Sequence, residues 1–445
     1  MKRRDFIKQV AGATAATVAM PYLLPSGRLF AQTNGRLANH VILVLFAGGI
    51  RHQEAIDQLY LAGSQNEDIP GNVLLNMFPG EVPADKIVFG LDANRPGEKP
   101  ITPVLSQPLS QQGTLFAEMR TSLVAHYAGL NIALQGTDQL NQGLRERPHF
   151  PTVFEYLRRH AGLPASKVWF IGQGINNSVP LLNASTHPDY GSAYGANFFA
   201  PTITFGGEAH EFLSRSRVYH PEFELSPVHQ MKFFLDNSFP HAADHVSGLG
   251  NTEEEKQEIR QFIQDTMDKT RTHTQVKPPV SDNTDLEVVG YACEVLKTFK
   301  PNLTVLNFNE ADTCHGNFTD YLRNLHRADH GLGFLWDYIQ REIPEMAGDT
   351  MLLVAPECGR NLQPNPILDV NNWYGYDHND ENAHRIFGMM VGPNVPQGLT
   401  IGSPQNPVGH AMDLVPTVAE ILGVKNAVRT QGLLGSGARS WFDYL

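Results

Sequence analysis

Cysteine is scarce in this sequence, which has only Cys293, Cys314 and Cys358 among 445 residues. Three cysteines cannot form the disulfide framework of a small secreted domain. Charged residues make up only 18%, and no basic run interrupts a net charge of −12, which argues against nucleic acid and anionic membrane surfaces as partners. The sequence also has no Gly-rich phosphate loop and no internal repeat. What remains is a chain that is 41% hydrophobic, enough for a large core, and long enough for several domains or for one large α/β domain.

A twin-arginine pattern stands at the start of the sequence. Lys2–Lys8 (KRRDFIK) precedes an Ala-rich apolar region, Val10–Leu24, and Leu29–Ala31 offers a cleavage site before Gln32. The apolar region is too short and too rich in Ala and Thr for a transmembrane helix. We therefore predict that residues 1–31 are a Tat-type signal peptide, that the mature protein is periplasmic or exported through the Tat pathway, and that no stable membrane anchor remains after cleavage.

Apolar runs alternate with helical patterns along the rest of the chain. This β-α-β rhythm predicts an α/β fold, a three-layer α/β/α sandwich with a mostly parallel central sheet. We expect a single domain over residues 38–445 with a helical or irregular cap insertion at about 173–280, because the first part of that stretch has little periodicity. Strands are predicted at 39–47, 168–172, 302–309 and 351–355, helices at 151–162, 251–270, 285–299, 319–341 and 410–422, and a helix that leads into a strand at 115–126.

Side chains with metal-ligating or catalytic chemistry follow several predicted strands. In an open α/β sheet, ligands bind just beyond the carboxyl ends of the strands. Carboxylate and imidazole together suit Zn, Mn or Fe, and Ca where histidines are fewer. Each residue taken singly is more often structural, so the prediction of a divalent metal site rests on their convergence. The predicted metal ligands are His52, Glu54, Asp312, His315, Glu357, Asp377 and His378.

Other chemistry-bearing residues have two or more interpretations. Arg51 and Arg360 could bind an anionic substrate bidentately. Cys314 and Cys358 could form a disulfide, ligate the metal or simply pack, and packing or a disulfide is favoured because an exported protein meets an oxidising compartment. Thr152 reads better as a helix cap than as a nucleophile.

Several short motifs, in this order, resemble the alkaline phosphatase and sulfatase superfamily, and most of all an uncharacterised family of exported, sulfatase-like bacterial proteins. Its opening Gly-Gly-x-x-His-x-Asp-x-x-Asp is similar to residues 48–57, with Glu54 in place of the first Asp. Its Glu-Phe-Gly-Arg and Gly-Arg-Asp-His motifs are similar to residues 357–360 and 375–378, and residues 413–417 resemble the Asp-x-x-Pro-Thr helix of sulfatases. The resemblance covers about residues 39–423 and implies an alkaline phosphatase-like α/β/α sandwich.

The departures from that superfamily shape the functional expectation. Gly48 stands where hydrolytic members supply an early Asp ligand, His126 aligns with the Cys or Ser nucleophile, and Glu357-Cys358 replaces the usual Asp-His. We therefore predict a metal-dependent hydrolase that acts on a small-molecule or glycan ester of phosphate or sulfate through a metal-bound water, with His126, Arg360 and Arg51 as catalytic residues. The alternative is a non-catalytic, sulfatase-like binding protein that has lost its nucleophile.

Overall fold

A computed structural model describes residues 35–61, 68–83, 99–139, 146–172, 179–201 and 252–445. The predicted signal peptide, residues 1–31, lies outside the described residues. Among the helices of the described part, none combines the length and the apolar character needed to cross a bilayer.

The described residues form one large central sheet and a small two-stranded one. The large sheet has the strand order β10-β4-β9-β8-β1-β7-β5-β6, and β2 pairs with β3. The strands are β1 (His40–Phe46), β2 (Leu59–Tyr60), β3 (Ile69–Pro70), β4 (Thr114–Arg120), β5 (Val168–Gly172), β6 (Asn197–Phe199), β7 (Leu303–Phe308), β8 (Thr350–Pro356), β9 (Arg385–Val391) and β10 (Leu399–Ile401).

The large sheet is mostly parallel, as predicted. β1 pairs in parallel with β7 and β8, and β5 pairs in parallel with β6 and β7. β9 is antiparallel to both of its neighbours, β4 and β8. The carboxyl ends of the parallel strands and the amino end of β9 therefore meet at one edge of the sheet, which we call the carboxyl edge.

Helices cover both faces of the sheet and complete three layers. Along β1, Ile42, Val44 and Phe46 pack into one hydrophobic core while Val41 and Leu43 pack into the other, because successive strand side chains point to opposite faces. Helices α5, α6 and α7 contribute to the first core, and α3, α4, α8 and α9 to the second. The α-helices are α1 (His52–Ala55), α2 (Leu109–Gln112), α3 (His126–Gln135), α4 (Val153–His160), α5 (Glu253–Arg271), α6 (Thr284–Phe299), α7 (Phe318–Glu342), α8 (Leu414–Ile421) and α9 (Lys425–Arg429).

Short 3₁₀ helices fill several connections between these elements. The one that follows β7, Glu310–His315, matters most for function. The others are Ala165–Lys167, Val179–Asn183, Gly191–Tyr194, Glu381–His384, Ala411–Asp413 and Trp441–Tyr444.

The prediction of a helix leading into a strand at residues 115–126 was wrong, because the order is reversed. Residues Thr114–Arg120 form β4, which lies between β9 and β10, and α3 begins only at His126. Leu, Ala, Glu, Met and Arg favour helix, but burial between two neighbouring strands outweighs that preference. Gly136, with φ 69°, ends α3 in the left-handed conformation that favours glycine.

The predicted cap insertion, residues 173–280, falls largely outside the described residues. Within it, the structure describes 179–201 and 252–280. β6 extends the large sheet at its edge beside β5, and α5 packs Phe262 against Trp169 and Phe299. These described parts belong to the three layers, and the rest of the insertion stays a prediction.

Candidate metal centre

Four chain segments bring side chains together at the carboxyl edge. α3 begins with His126 after β4, the 3₁₀ helix after β7 carries Asp312 and His315, and β8 leads directly into Glu357. The loop before β9 carries Asp377 and His378. We call the group that they form the rim cluster: His126, Asp312, His315, Glu357, Asp377 and His378.

The 3₁₀ helix that carries Asp312 and His315 is fixed from two sides. The buried Asp285 carboxylate accepts hydrogen bonds from the backbone N–H groups of Asn309 (2.9 Å) and Glu310 (3.2 Å), where the helix begins. On the other side, a Cβ at Gly48 would lie 2.5 Å from the backbone nitrogen of Asp312. The chain can leave β1 beneath Asp312 only because residue 48 has no side chain.

His126 lies between two carboxylates. Its Nδ1 is 2.6 Å from Oε1 of Glu357, and its Nε2 is 2.7 Å from Oδ1 of Asp312. Gly129, one turn further along α3, lets the helix approach the end of β8, since a Cβ there would lie 2.7 Å from the Glu357 carbonyl oxygen. Glu357 therefore orients the imidazole and leaves Nε2 facing Asp312.

His315 has a similar arrangement on the open side of the cluster. Its Nδ1 is 2.7 Å from Oδ1 of Asp377, and its Nε2 is 3.3 Å from Oδ1 of Asp312. Asn365 holds the pair, because its amide donates to Asp377 Oδ1 (3.1 Å) and to the His315 carbonyl (2.8 Å). A carboxylate that binds the far nitrogen of a histidine commonly orients it toward a metal.

His378 completes a group of three imidazoles. Its ring centroid lies 4.2 Å from that of His126 and 5.0 Å from that of His315. One nitrogen from each of the three rings lies within 4.8 Å of the other two. Bonds of roughly 2.0–2.1 Å to one ion place two ligand nitrogens no more than about 4.2 Å apart, so a small closure would bring all three onto one cation.

The charges in the cluster affect one another strongly. Burial lowers the pKa of His126, but its contacts with Asp312, Cys358 and Glu357 outweigh burial and raise that pKa to about 12. Burial, together with His126 and Arg360, lowers the pKa of His378 to about 4. Burial alone would raise the pKa of Asp312, but His126 and His315 lower it. His378 is therefore neutral at pH 7 and able to ligate, and Asp312 is ionised, whereas His126 is protonated and would have to release its Nε2 proton when a cation binds.

Arg360 supports Asp312 from below. Its side chain is fully buried, and its Nη2 donates to Asp312 Oδ1 (2.8 Å). Its other contacts are to backbone carbonyls: Nε donates to Gly48 (2.9 Å) and Nη1 to Tyr376 (3.1 Å). The guanidinium thus joins the ends of β1 and β8 to the 3₁₀ helix and fixes the Asp312 carboxylate.

The donor set fits a divalent cation. His126 Nε2 is buried and has no aligned hydrogen-bond partner among the described residues, although Asp312 Oδ1 lies close to it. Three imidazoles and one carboxylate suit Zn, Mn or Fe better than Ca, which prefers oxygen ligands. The cluster is also open, since the side chains of Asp312, His315 and Asp377 are 33%, 39% and 38% exposed.

The predicted residues Arg51 and Glu54 lie outside the rim cluster. Both side chains are fully buried and form an ion pair, with Arg51 Nε 2.8 Å from a Glu54 oxygen. The Arg51 guanidinium carbon also lies 3.8 Å from the centroid of the Tyr376 ring. The pair lies under the loop that carries Asp377 and His378, and no ligand atom of Glu54 joins the three imidazoles.

His52 belongs to a different group, the His52 cluster: His52, Asp57, Glu118 and Arg385. His52 Nε2 lies 2.7 Å from the Ala117 carbonyl and 3.1 Å from Glu118 Oε2, and Arg385 Nη2 lies 3.1 Å from His52 Nδ1. Arg385 also binds Glu118 bidentately, with both distances 2.9 Å. The structure therefore brings five of the seven predicted metal ligands together with His126 and places His52 and Glu54 elsewhere.

The three cysteines are all free and buried, so the disulfide between Cys314 and Cys358 is not formed. Cys358 Sγ lies 3.9 Å from His126 Nδ1 and 3.7 Å from Glu357 Oε1. Burial and the neighbouring Glu357 raise the pKa of the Cys358 thiol to about 11. A protonated, buried thiol is a poor nucleophile, which favours packing.

One interpretation from the sequence is resolved elsewhere in the fold, and one residue of the site was not predicted. Thr152 caps α4 in a capping box with Glu155, so its hydroxyl is engaged structurally. Asn365, which orients Asp377, carries no recognisable signal in the sequence because several asparagines crowd its loop.

The sequence matches no protein-family model and no curated protein. Solved structures similar to this one include members of the alkaline phosphatase superfamily. A protein of that superfamily from Vibrio parahaemolyticus has 12% identity and a TM-score of 0.42, over 95% of this chain and 76% of that one. The lipoteichoic acid synthase LtaP from Listeria monocytogenes has 11% identity and a TM-score of 0.41, over 95% and 78%. Alkaline phosphatase from the Antarctic bacterium TAB5 has 11% identity and a TM-score of 0.40, over 88% and 99%.

Proposed function

We propose that this chain is an exported, metal-dependent hydrolase that acts on a phosphate or sulfate ester. The observation that carries the proposal is the convergence of His126, Asp312, His315 and His378 from separate segments at the carboxyl edge, where ligands of open α/β sheets bind. The proposal of export rests on the twin-arginine pattern within residues 1–31. Because the Tat pathway carries folded proteins, the metal site could be assembled before transport.

We assign the predicted ligands two different roles. His126, His315, His378 and Asp312 hold the cation, while Glu357 and Asp377 bind the far nitrogens of two of the histidines and orient them. Carboxylates of this kind fix the tautomer as well as the angle of the ring. Arg360 positions Asp312 through its Nη2.

A divalent cation in this cluster would supply Lewis acidity, which stabilises negative charge on a phosphoryl or sulfuryl group and makes water a better nucleophile. The protein itself contributes a rigid, partly buried frame. Glu357 is fully buried and His126 nearly so, whereas His315 and Asp377 face the open side. A substrate would therefore approach from the side of His315, and the buried side would exclude bulk water.

A second function, metal or anion binding without hydrolysis, is favoured by the nucleophile position. His126, held by Glu357, stands where sulfatases carry a nucleophile in the resemblance, and the nearest thiol, Cys358, is buried with a raised pKa. If the chain does hydrolyse esters, it would therefore have to use an activated water, and not a side chain, as the nucleophile. A chain that binds metal but hydrolyses nothing would fit this second function.

Metal analysis of the purified mature protein, before and after chelation, tests both functions. We expect stoichiometric metal, hydrolysis of 4-nitrophenyl phosphate or 4-nitrophenyl sulfate that disappears on chelation and returns with metal, and loss of both properties in Asp312→Asn. Asp337→Asn, near the carboxyl end of α7, is the matched control. Metal without hydrolysis of a broad panel of esters would support the binding function. Absence of metal would overturn the hydrolase and leave only anion binding.

A further inference from the structure

The loop between Arg360 and Tyr376 exposes an unusual set of apolar side chains. Ten large hydrophobic side chains of the described residues are exposed, and four of them lie within nine consecutive positions of this loop. Scattered exposed apolar residues are ordinary, but a concentrated group marks a binding surface. We call this group the apolar loop face: Leu362 (38% exposed), Ile367 (50%), Leu368 (47%) and Val370 (67%).

Two polar side chains of the same loop, Asn361 and Asp369, are buried and hold the loop in place. Asn361 Oδ1 accepts hydrogen bonds from the backbone of Asn379 (2.6 Å) and Asp380 (2.8 Å). Asp369 accepts from the backbone and hydroxyl of Thr319, at 2.9 and 2.7 Å. A surface loop usually turns polar groups to water and apolar ones inward, whereas here Asn361 and Asp369 are buried and four large apolar side chains are exposed.

The apolar loop face adjoins the rim cluster directly. Asn365, in the middle of the loop, donates to Asp377 Oδ1 and to the His315 carbonyl. The Cγ2 methyl of Ile367 lies 3.9 Å from the position that a Cβ on Gly316, next to His315, would occupy. His315 and Asp377 form the exposed side of the cluster, so a ligand bound there by an anionic group could extend over the apolar side chains.

We infer that the substrate is amphiphilic: a phosphate or sulfate ester whose anionic group binds at the rim cluster and whose alkyl or aryl group packs on the apolar loop face. This inference rests on the proposed function and adds the class of leaving group to it. An apolar group would gain affinity by removing both its own surface and the loop's surface from water. Small, fully polar esters would bind at the cluster alone.

A lipid bilayer is the competing occupant of such a face. The chain carries a net charge of −12, and an acidic protein is repelled by anionic membrane surfaces. Arg360 contacts Asp312 and backbone carbonyls from a buried position rather than the loop surface. We therefore favour a soluble amphiphilic substrate and treat membrane binding as an outcome of the test.

Calorimetry with the metal-loaded full chain separates these possibilities. The probes are methyl phosphate and octyl phosphate below its micelle concentration, with methyl and octyl sulfate as a parallel pair. We expect the octyl ester to bind about 10-fold or more tightly than the methyl ester, because several methylene groups leave water. Replacing Leu362, Ile367, Leu368 and Val370 together by Ser should bring that ratio close to one.

A control variant with Met267→Ser and Leu399→Ser removes two comparably exposed apolar side chains elsewhere and should keep the ratio. An octyl preference that survives the loop variant, or no preference in the unmodified protein that still binds methyl phosphate, would overturn the inference alone. Failure to bind any of the four esters would overturn the proposed function with it. Loop-dependent sedimentation with phosphatidylcholine vesicles, without octyl preference, would assign the face to a membrane and reject the inference.

Discussion

The rim cluster and the His52 cluster lie at the same edge of the sheet and use the same residue types, yet they differ in how completely their charges are paired. In the His52 cluster, Arg385 binds Glu118 through two nitrogens, and His52 and Glu118 are 2% and 1% exposed. In the rim cluster, two of the three imidazoles contact Asp312, and the side chains of Asp312 and His315 are open to solvent. Residue type alone does not make a metal site: a surplus of ligand atoms and access from solvent are also needed.

The largest expected difference between the two clusters is in metal content. His378→Ala removes one of the three converging imidazoles and should abolish stoichiometric metal in the purified protein, because only two imidazoles and the Asp312 carboxylate then remain to hold the cation. His52→Ala is the matched control and should retain the metal, since His52 bonds a carbonyl, Glu118 and Arg385. Mass spectrometry of the native proteins or elemental analysis reads both results. Metal loss in His52→Ala instead would return His52 to the site.

The next effect is on stability and belongs to the His52 cluster. Glu118→Gln leaves Arg385 without its bidentate carboxylate, and breaking a buried ion pair costs about 3 kcal/mol. Urea unfolding should show this loss, with metal content unchanged. A stability change below roughly 0.5 kcal/mol would mean that the pair contributes little.

A third prediction separates orienting carboxylates from ligands within the rim cluster. Asp377→Asn keeps the shape of the side chain but weakens its hold on His315 Nδ1, so metal affinity should fall by roughly 10- to 100-fold while binding remains saturable. Competition with a chelator of known affinity measures the change. Loss of all binding would show that Asp377 is itself a ligand, as the sequence analysis predicted.

The pH dependence of stability should also differ between wild type and Glu118→Gln. Burial alone would raise the pKa of Glu118, but His52 and Arg385 lower it from 4.5 to about 2. A carboxyl group whose pKa is lowered by folding stabilises the protein above its ordinary value, and that stability is lost as the pH falls between 4.5 and 2. Over this range the free energy of unfolding should therefore fall less steeply with decreasing pH in Glu118→Gln than in the wild type. Identical slopes would contradict the pairing.

The smallest effect is expected for Cys358→Ala. The thiol is buried beside His126 and Glu357, but its raised pKa makes it a packing residue rather than a ligand. We expect unchanged metal affinity and a loss of stability of about 1 kcal/mol from the lost packing. Weaker metal binding in this variant would make the thiol part of the site, as one interpretation of the sequence allowed.

These two clusters also mark what the sequence could and could not predict. Continuous apolar runs such as those of β1, β5, β7 and β8 identify buried strands, and Asp312, His315, Glu357, Asp377 and His378 follow strands or precede one. His52 also follows a strand, and its spacing to Glu54 is like that of a ligand pair. Nothing local shows that Glu118 and Arg385, which are 66 and more residues away in the chain, occupy its nitrogens. Partners of that kind are set by strand order, in which β4 and β9 are neighbours.

The role of His126 was only partly predictable for a similar reason. The resemblance places it at the active edge, but residues 115–126 favour helix by composition, and β4 forms there because two strands enclose it. The result moves His126 from the predicted end of a strand to the first residue of α3. Its two carboxylate neighbours, Glu357 and Asp312, come from the ends of β8 and β7.

The contact between Gly129 and Glu357 has a mechanical consequence for this part of the molecule. The Gly129 backbone of α3 packs directly against the carbonyl oxygen and Cγ of Glu357 at the end of β8, and there is no room for a methyl group between them. This contact sets the shortest possible distance between α3 and the end of β8, whatever the attraction between the His126 imidazole and the Glu357 carboxylate. A bound cation therefore cannot draw α3 closer to the end of β8, and the small closure of the three imidazoles has to come from their side chains.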